Sequence, residues 1–255
     1  MFRYELIWEK LGLVTICKLK NKLFTEKPYL CTTKNERWHH KTLIMTTVYP
    51  CAKINLGLYV VERRPDGYHN LQTVFYPIPL CDRLSVELAS GSEDIMHISG
   101  IPLEGEVQDN LVMRAVRLLR EEFAIPPLHI DLQKNIPSGA GLGGGSSDAA
   151  FMMRLLNDMF SLGLCPEDME RRVSRLGADC AFFIQCRPTM AEGIGDIFSP
   201  IRISLEGKYL VLIKPDDFVS TKEAYSMVRP AQPSHALRPT VEGDIACWKQ
   251  CLHND

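Results

Sequence analysis

Lys134-Asn135-Ile136-Pro137-Ser138-Gly139-Ala140-Gly141-Leu142-Gly143-Gly144-Gly145-Ser146-Ser147-Asp148-Ala149-Ala150 is the stretch from which the fold is read. Five of the seven residues from Gly139 to Gly145 are glycine, and an apolar helical pattern starts directly after Asp148. Glycine lets the backbone turn sharply and approach a ligand without a Cβ in the way. The first turn of a helix carries unpaired N–H groups and a partial positive charge. A glycine run that opens into a helix therefore presents several donors to a polyphosphate. A flexible linker is the bland alternative, but linkers rarely join a strand to a capped helix.

Two other phosphate loops are set aside by their context. Gly139, Gly141 and Gly144 satisfy G-x-G-x-x-G, but a dinucleotide fold needs a following strand with an acid about 20 residues on. Here the helix expected over Ser147–Phe160 leads through Pro166-Glu167-Asp168 into a second helix, Pro166–Leu176. A Walker loop needs Gly-Lys-Ser/Thr, and no lysine follows these glycines.

Upstream of the loop, Leu128–Leu132 alternates as a strand does. Before it, Asp109-Asn110 caps a helical pattern that begins at Leu111 and ends ahead of Pro126-Pro127. The stripe Met152, Met153, Leu155, Leu156, Met159 reads as core packing on the helix after the loop. Farther on, Gly177-Ala178-Asp179 precedes Cys180–Ile184, expected to be an apolar strand. Asp179 there is either a turn residue or a buried, positioned base. Tyr209–Ile213 reads as a strand and Thr221–Val228 as a helix.

Toward the N-terminus, Tyr49–Val61 alternates apolar and polar from Lys53 as a strand does, with Lys53 and Asn55, two apart, on one face. Such a face is either solvated or lines a site; by itself the pattern favours solvent. Pro65-Asp66-Gly67 makes a tight turn, followed by Tyr68-His69 and a second strand, Leu71–Ile78. Leu84–Leu88 and Met96–Ile98 read as further strands.

Residues 1–44 differ from the rest, with nine Lys/Arg against four Asp/Glu. They match neither a secretory signal nor an acid-poor transit peptide. Met45, just ahead of the first clear strand, is the expected natural start. The residues before it are then an upstream extension with no pattern that joins them to a core; a helix around Phe2–Leu13 is the alternative.

With 255 residues, 45% hydrophobic and 24% charged, the chain has enough material for a globular core. A net charge of −2 and a pI near 6.4 argue against a general nucleic-acid or membrane-surface binder. No apolar run approaches the roughly 18 residues of a membrane span. Nine cysteines without a C-x-x-C pair read as free thiols in a reducing compartment, so the expected location is cytoplasmic.

Taken together, Pro50-Cys51-Ala52-Lys53-Ile54-Asn55-Leu56, Arg64-Pro65-Asp66-Gly67-Tyr68-His69, Ile136–Ala150 and Gly177-Ala178-Asp179 resemble the GHMP small-molecule kinase superfamily. Within it, the first two motifs are similar to the 4-diphosphocytidyl-2-C-methylerythritol kinase family of the non-mevalonate isoprenoid pathway. The resemblance runs from about Met45 to the C-terminus.

The resemblance implies an α/β (α+β) two-domain kinase fold. A ribosomal-protein-S5-domain-2-like ATP-binding domain would span 45–198, and a partial ferredoxin-like C-terminal domain 199–255. It implies ATP in the syn conformation, accompanied by Mg2+, with no metal ligand assigned. ATP would be held by Pro137, Ser138, Gly139, Ala140, Gly141, Leu142, Gly143, Gly144, Gly145, Ser146 and Ser147. Lys53 and Asp179 match the catalytic pair. Asn55, Tyr68, His69 and Tyr225 match contacts to a cytidine diphosphate methylerythritol substrate. The implied partner is that small molecule, with no nucleic acid or membrane, in a monomer or homodimer. The superfamily's third glycine-rich motif has no counterpart, since Gly243 is the only glycine after Gly207; the C-terminal domain is therefore expected to be incomplete.

Overall fold

A computed structural model of the chain describes residues 6–9, 12–19, 45–215 and 221–255. Its strands are β1 (Leu6–Glu9), β2 (Gly12–Lys18), β3 (Thr46–Val48), β4 (Cys51–Arg63), β5 (His69–Cys81), β6 (Arg83–Leu88), β7 (Ile95–Gly100), β8 (Leu128–Lys134), β9 (Thr189–Glu192), β10 (Ile197–Pro200) and β11 (Tyr209–Lys214). Its helices are α1 (Leu111–Arg120), α2 (Gly144–Met159), α3 (Pro166–Val173), α4 (Phe182–Gln185), α5 (Thr221–Met227), α6 (Leu237–Glu242) and α7 (Trp248–Cys251).

The strands form three sheets, in the orders β10-β9-β5-β4, β3-β6-β8-β7 and β1-β2-β11. In the second sheet β7 and β8 run parallel, and the other pairs are antiparallel. The alternation read in β8 is real: Leu128, Ile130 and Leu132 are buried, while His129 and Asp131 between them are only half-buried. That buried face meets α1 and α2 in one apolar core. The expected cap of α1 is present, with the Asn110 side chain accepting from Val112 N at 2.9 Å. A second core lies between β4–β5 and the chain after Pro200, joining Tyr59, Tyr76 and Ile78 to Leu205, Leu237 and Val241.

Two expectations are corrected. The run after Asp179 is not a strand: Ala178–Cys180 is a 3-10 turn and Phe182–Gln185 is α4. Phe182, Phe183 and Ile184 are all buried, and a short continuous apolar run has no periodicity to separate strand from buried helix. Near the N-terminus, where a helix around Phe2–Leu13 is the alternative, Leu6–Glu9 and Gly12–Lys18 are strands, and residues 2–5, 10 and 11 lie outside the described residues. Nor are these residues unconnected, because β2 pairs with β11 from Leu13↔Lys214 to Lys18↔Tyr209. Cys17 and Leu19 are buried in the second core. The expectation for residues 20–44 lies outside the described residues.

Candidate active site

The phosphate-loop reading starts at β8 and ends in α2. Gly139, Gly141 and Gly143 take φ of 66°, 68° and 71°, the left-handed region that other residues enter at a cost. Gly143 is the N-cap of α2, which therefore starts at Gly144 instead of Ser147. Gly144, Gly145, Ser146 and Ser147 thus form the helix's first turn, where N–H groups lack intrahelical partners unless they reach back. Ser147 N reaches Gly143 O at 2.8 Å. A Cβ on Gly143 would lie 2.8 Å from Cζ of Phe183 and 3.4 Å from Cγ of Lys53, so the loop is pressed onto α4 and β4. Lys53 N also donates to Leu142 O at 3.0 Å, which fastens the loop to the strand that carries the lysine. Ser138, Gly139, Gly141 and Gly145 are exposed, whereas Pro137 and Leu142 are buried and Ala140 and Ser146 half-buried.

Lys53 is 5% exposed, and its ammonium lies 3.5 Å from Oδ2 of Asp179. It donates to Oδ1 of Asn55 at 2.7 Å and sits 4.7 Å from the Phe75 ring centroid. Burial pushes its pKa below the ordinary lysine value, and the Asp179 charge opposes that shift. The Lys53–Asn55 face is therefore buried around the lysine and half-buried at Asn55, not a solvated one. Asn55 Nδ2 donates to Oγ1 of Thr73 at 2.8 Å, and that hydroxyl donates to Gly57 O at 2.6 Å. Thr73 and Phe75, which orient this pair, were missed in the sequence. Their one available signal was a polar and an aromatic residue at strand spacing opposite the Lys53 strand.

His69 and Tyr225 stack at 5.5 Å between centroids with 23° between planes. Burial raises the Tyr225 hydroxyl pKa, and the Asp179 charge adds to the effect. Tyr68 is 62% exposed, held by its backbone to Asp66 and Arg64. Lys53, Asn55, Asp179 and Gly143 thus converge, and Tyr68 directly precedes β5.

Among the described residues no group of three or more His, Cys, Asp or Glu is placed to hold a metal ion. The Oγ of Ser147 is fully buried and has no hydrogen-bond partner.

Residues 110–187 match the family model described as the GHMP kinases N terminal domain. The chain is 54% identical over 209 residues to the 4-diphosphocytidyl-2-C-methyl-D-erythritol kinase of Bacteroides fragilis, covering 81% of this chain and 76% of that one. It is 49% identical over 207 residues to the kinase of the same name from Parabacteroides distasonis, with the same coverage of 81% and 76%. A crystal structure of 4-(cytidine 5'-diphospho)-2C-methyl-D-erythritol kinase superposes with a TM-score of 0.54 at 38% identity, over 62% of this chain and 56% of that chain.

Proposed function

We infer, from a chain that belongs to the 4-diphosphocytidyl-2-C-methyl-D-erythritol kinase family, that it transfers the γ-phosphoryl group of ATP to the 2-hydroxyl of 4-diphosphocytidyl-2-C-methyl-D-erythritol. The observation that carries the chemistry is the 3.5 Å approach of the buried Lys53 ammonium to Asp179, beside the glycine loop.

Phosphoryl transfer needs the charge on the phosphates neutralised and the hydroxyl placed in line, with little covalent work for the protein. The N–H groups of Gly144, Gly145 and Ser146 take up phosphate oxygens at the positive end of α2. Asp179 aligns the substrate hydroxyl and accepts its proton as the new O–P bond forms. Lys53 faces the oxygen that loses the proton and stabilises its developing negative charge. Asn55, held by Thr73, keeps the lysine aimed at that point and contacts the diphosphate-sugar portion.

Mg2+ keeps several waters and binds through one or two protein oxygens plus substrate phosphates. For a metal carried in with ATP, the half-exposed Asp179 carboxylate would be a protein oxygen of that kind, whereas the fully buried Ser147 Oγ would have to move to reach the ion. Bound there, the ion would supply further neutralisation of phosphate charge. At the other end, His69 and Tyr225 receive the cytosine. Their stacked rings have no room for a base between them, so a cytosine that uses the Tyr225 face displaces His69 from it.

The test is phosphorylation of the cytidine substrate with ATP by the wild-type chain and by Asp179→Asn. The variant is expected to keep both affinities within about threefold while kcat falls about a hundredfold or more. Turnover near wild type in Asp179→Asn removes this carboxylate from the reaction. Transfer to homoserine or mevalonate in preference to the cytidine substrate overturns the substrate assignment.

A further inference from the structure

Beneath the glycine loop lies a buried charged cluster that the phosphoryl-transfer chemistry does not use. Lys134, the last residue of β8, is 2% exposed, Asp82 is 0% and Asp148 is 2%. Lys134 Nζ donates to Oδ2 of Asp82 and, at 2.6 Å, to Oδ2 of Asp148. The other oxygen of Asp82 accepts the backbone N–H of Asn135 and, at 2.9 Å, that of Ile136. The segment entering the loop therefore hangs on Asp82, and the helix leaving it is held through Asp148, just past its first turn. One ammonium joins the two. Gly144 sits on this junction: a Cβ there would lie 2.9 Å from Cγ2 of Ile136 and 3.4 Å from Lys134 Nζ.

Burying such a cluster is costly, and apolar residues of similar volume often give equal or greater stability. Its return is geometric. A cradle of N–H groups binds a polyphosphate well only if its donors already converge, since ordering the loop on binding subtracts from affinity. We propose that Lys134 is a positioning residue that clasps the entry and exit of the glycine loop and so sets affinity for ATP without touching it. This rests on the reading of the loop as the ATP cradle.

The test measures binding of a non-hydrolysable ATP analogue and of the cytidine substrate by calorimetry on the full chain. Lys134→Met removes the ammonium, Asp148→Ala frees the exit of the loop, and Asp148→Asn keeps an acceptor for Lys134. The first two are expected to weaken the analogue about tenfold or more, with the cytidine substrate within about threefold of wild type. Asp148→Asn is expected to bind both within about threefold of wild type. Wild-type analogue affinity in Lys134→Met or Asp148→Ala overturns the proposal, as does an equal loss of both ligands. If Lys134→Met does not fold, the two variants at 148 decide it alone. A wild-type chain that fails to bind the analogue overturns the ATP reading and the clasp with it, whereas failure of the clasp alone shows only in the variants.

Discussion

Lys53 illustrates what a residue pattern does and does not convey. That Lys53 and Asn55 share a face follows from strand geometry, and their side chains do meet at 2.7 Å. That the face is buried depends on Phe75 and Thr73, which reach it from the neighbouring strand. Thr73 makes a sharp test, because its one hydroxyl both accepts from Asn55 and donates to Gly57 O. Thr73→Val keeps the shape and leaves both partners unsatisfied, a loss of about 1–3 kcal/mol in a buried setting. Thermal unfolding should register that loss, and kcat should fall about three- to tenfold as Asn55 loosens its hold on Lys53. Unchanged kcat in a destabilised variant would confine Thr73 to packing. Asp148 gives a pH signature. One ammonium serves two carboxylates, and burial, with the Asp82 charge adding to it, pushes Asp148 from 3.8 up to about 8 against the pull of Lys134. Between those values the folded state holds a proton that the unfolded chain has released, so stability from this group declines as pH rises. It is full below the unfolded value and gone once pH has passed the folded one. Asp148→Asn should therefore gain in melting temperature relative to wild type as pH rises from about 4 to about 8. Parallel melting curves across that range would contradict the protonated reading. No sequence pattern announces this cluster: Lys134 and Asp148 bracket the glycine loop 14 residues apart, and Asp82 lies 52 residues before Lys134.

The glycine loop and the helices around it were largely readable as elements. The strand before the loop, the helix after it and the cap at Asn110 all stand where composition and spacing put them. The helix begins earlier than expected because glycine at the N-cap can take the left-handed conformation, so Gly144 and Gly145 enter the first turn. The element misread is the one after Asp179, where a strand was expected and a turn and short helix were found. That difference matters for the site, since α4 brings Phe183 under Gly143. Gly143→Ala would combine left-handed strain with a 2.8 Å contact to the Phe183 ring. The two costs together amount to about 2–4 kcal/mol of stability, and the displaced loop should bind ATP more weakly. Gly141→Ala supplies the control, with a φ of 68° and nothing within 4 Å of the added Cβ. It carries the strain alone, about 1–2 kcal/mol. Denaturant melts of the two variants compare these costs directly. Equal destabilisation would mean that the loop is not seated on Phe183.

In the whole molecule, the largest departure from the sequence reading lies at the N-terminus. Residues 1–44 carry no motif of the kinase family and read as an upstream extension with no pattern that joins them to a core. The structure gives residues 12–19 a partner that local sequence cannot reveal, because β11 lies far down the chain. Among the described residues β11 pairs with β2 and with no other strand. Cys17 and Leu19 also fill the core that holds Tyr76 and Leu205. A chain begun at Met45 would leave β11 with an unpaired row of backbone donors and acceptors, a template for pairing with another molecule. Its outer face adds to the hazard, because Tyr209, Val211 and Ile213 are 65%, 53% and 62% exposed. The truncated chain should therefore melt lower, by about 2–4 °C for each kcal/mol lost in a protein of this size, and should self-associate in light scattering. Lys53, Asp179 and the glycine loop belong to β4, the 3-10 turn and α2, none of which pairs with β2. ATP affinity of the folded fraction should accordingly stay within about threefold of the full chain. A truncated protein that is monodisperse and melts with the full chain would show that β2 adds nothing to the kinase core; one that loses ATP affinity as well would show that the second core supports the site and not only the edge of β11.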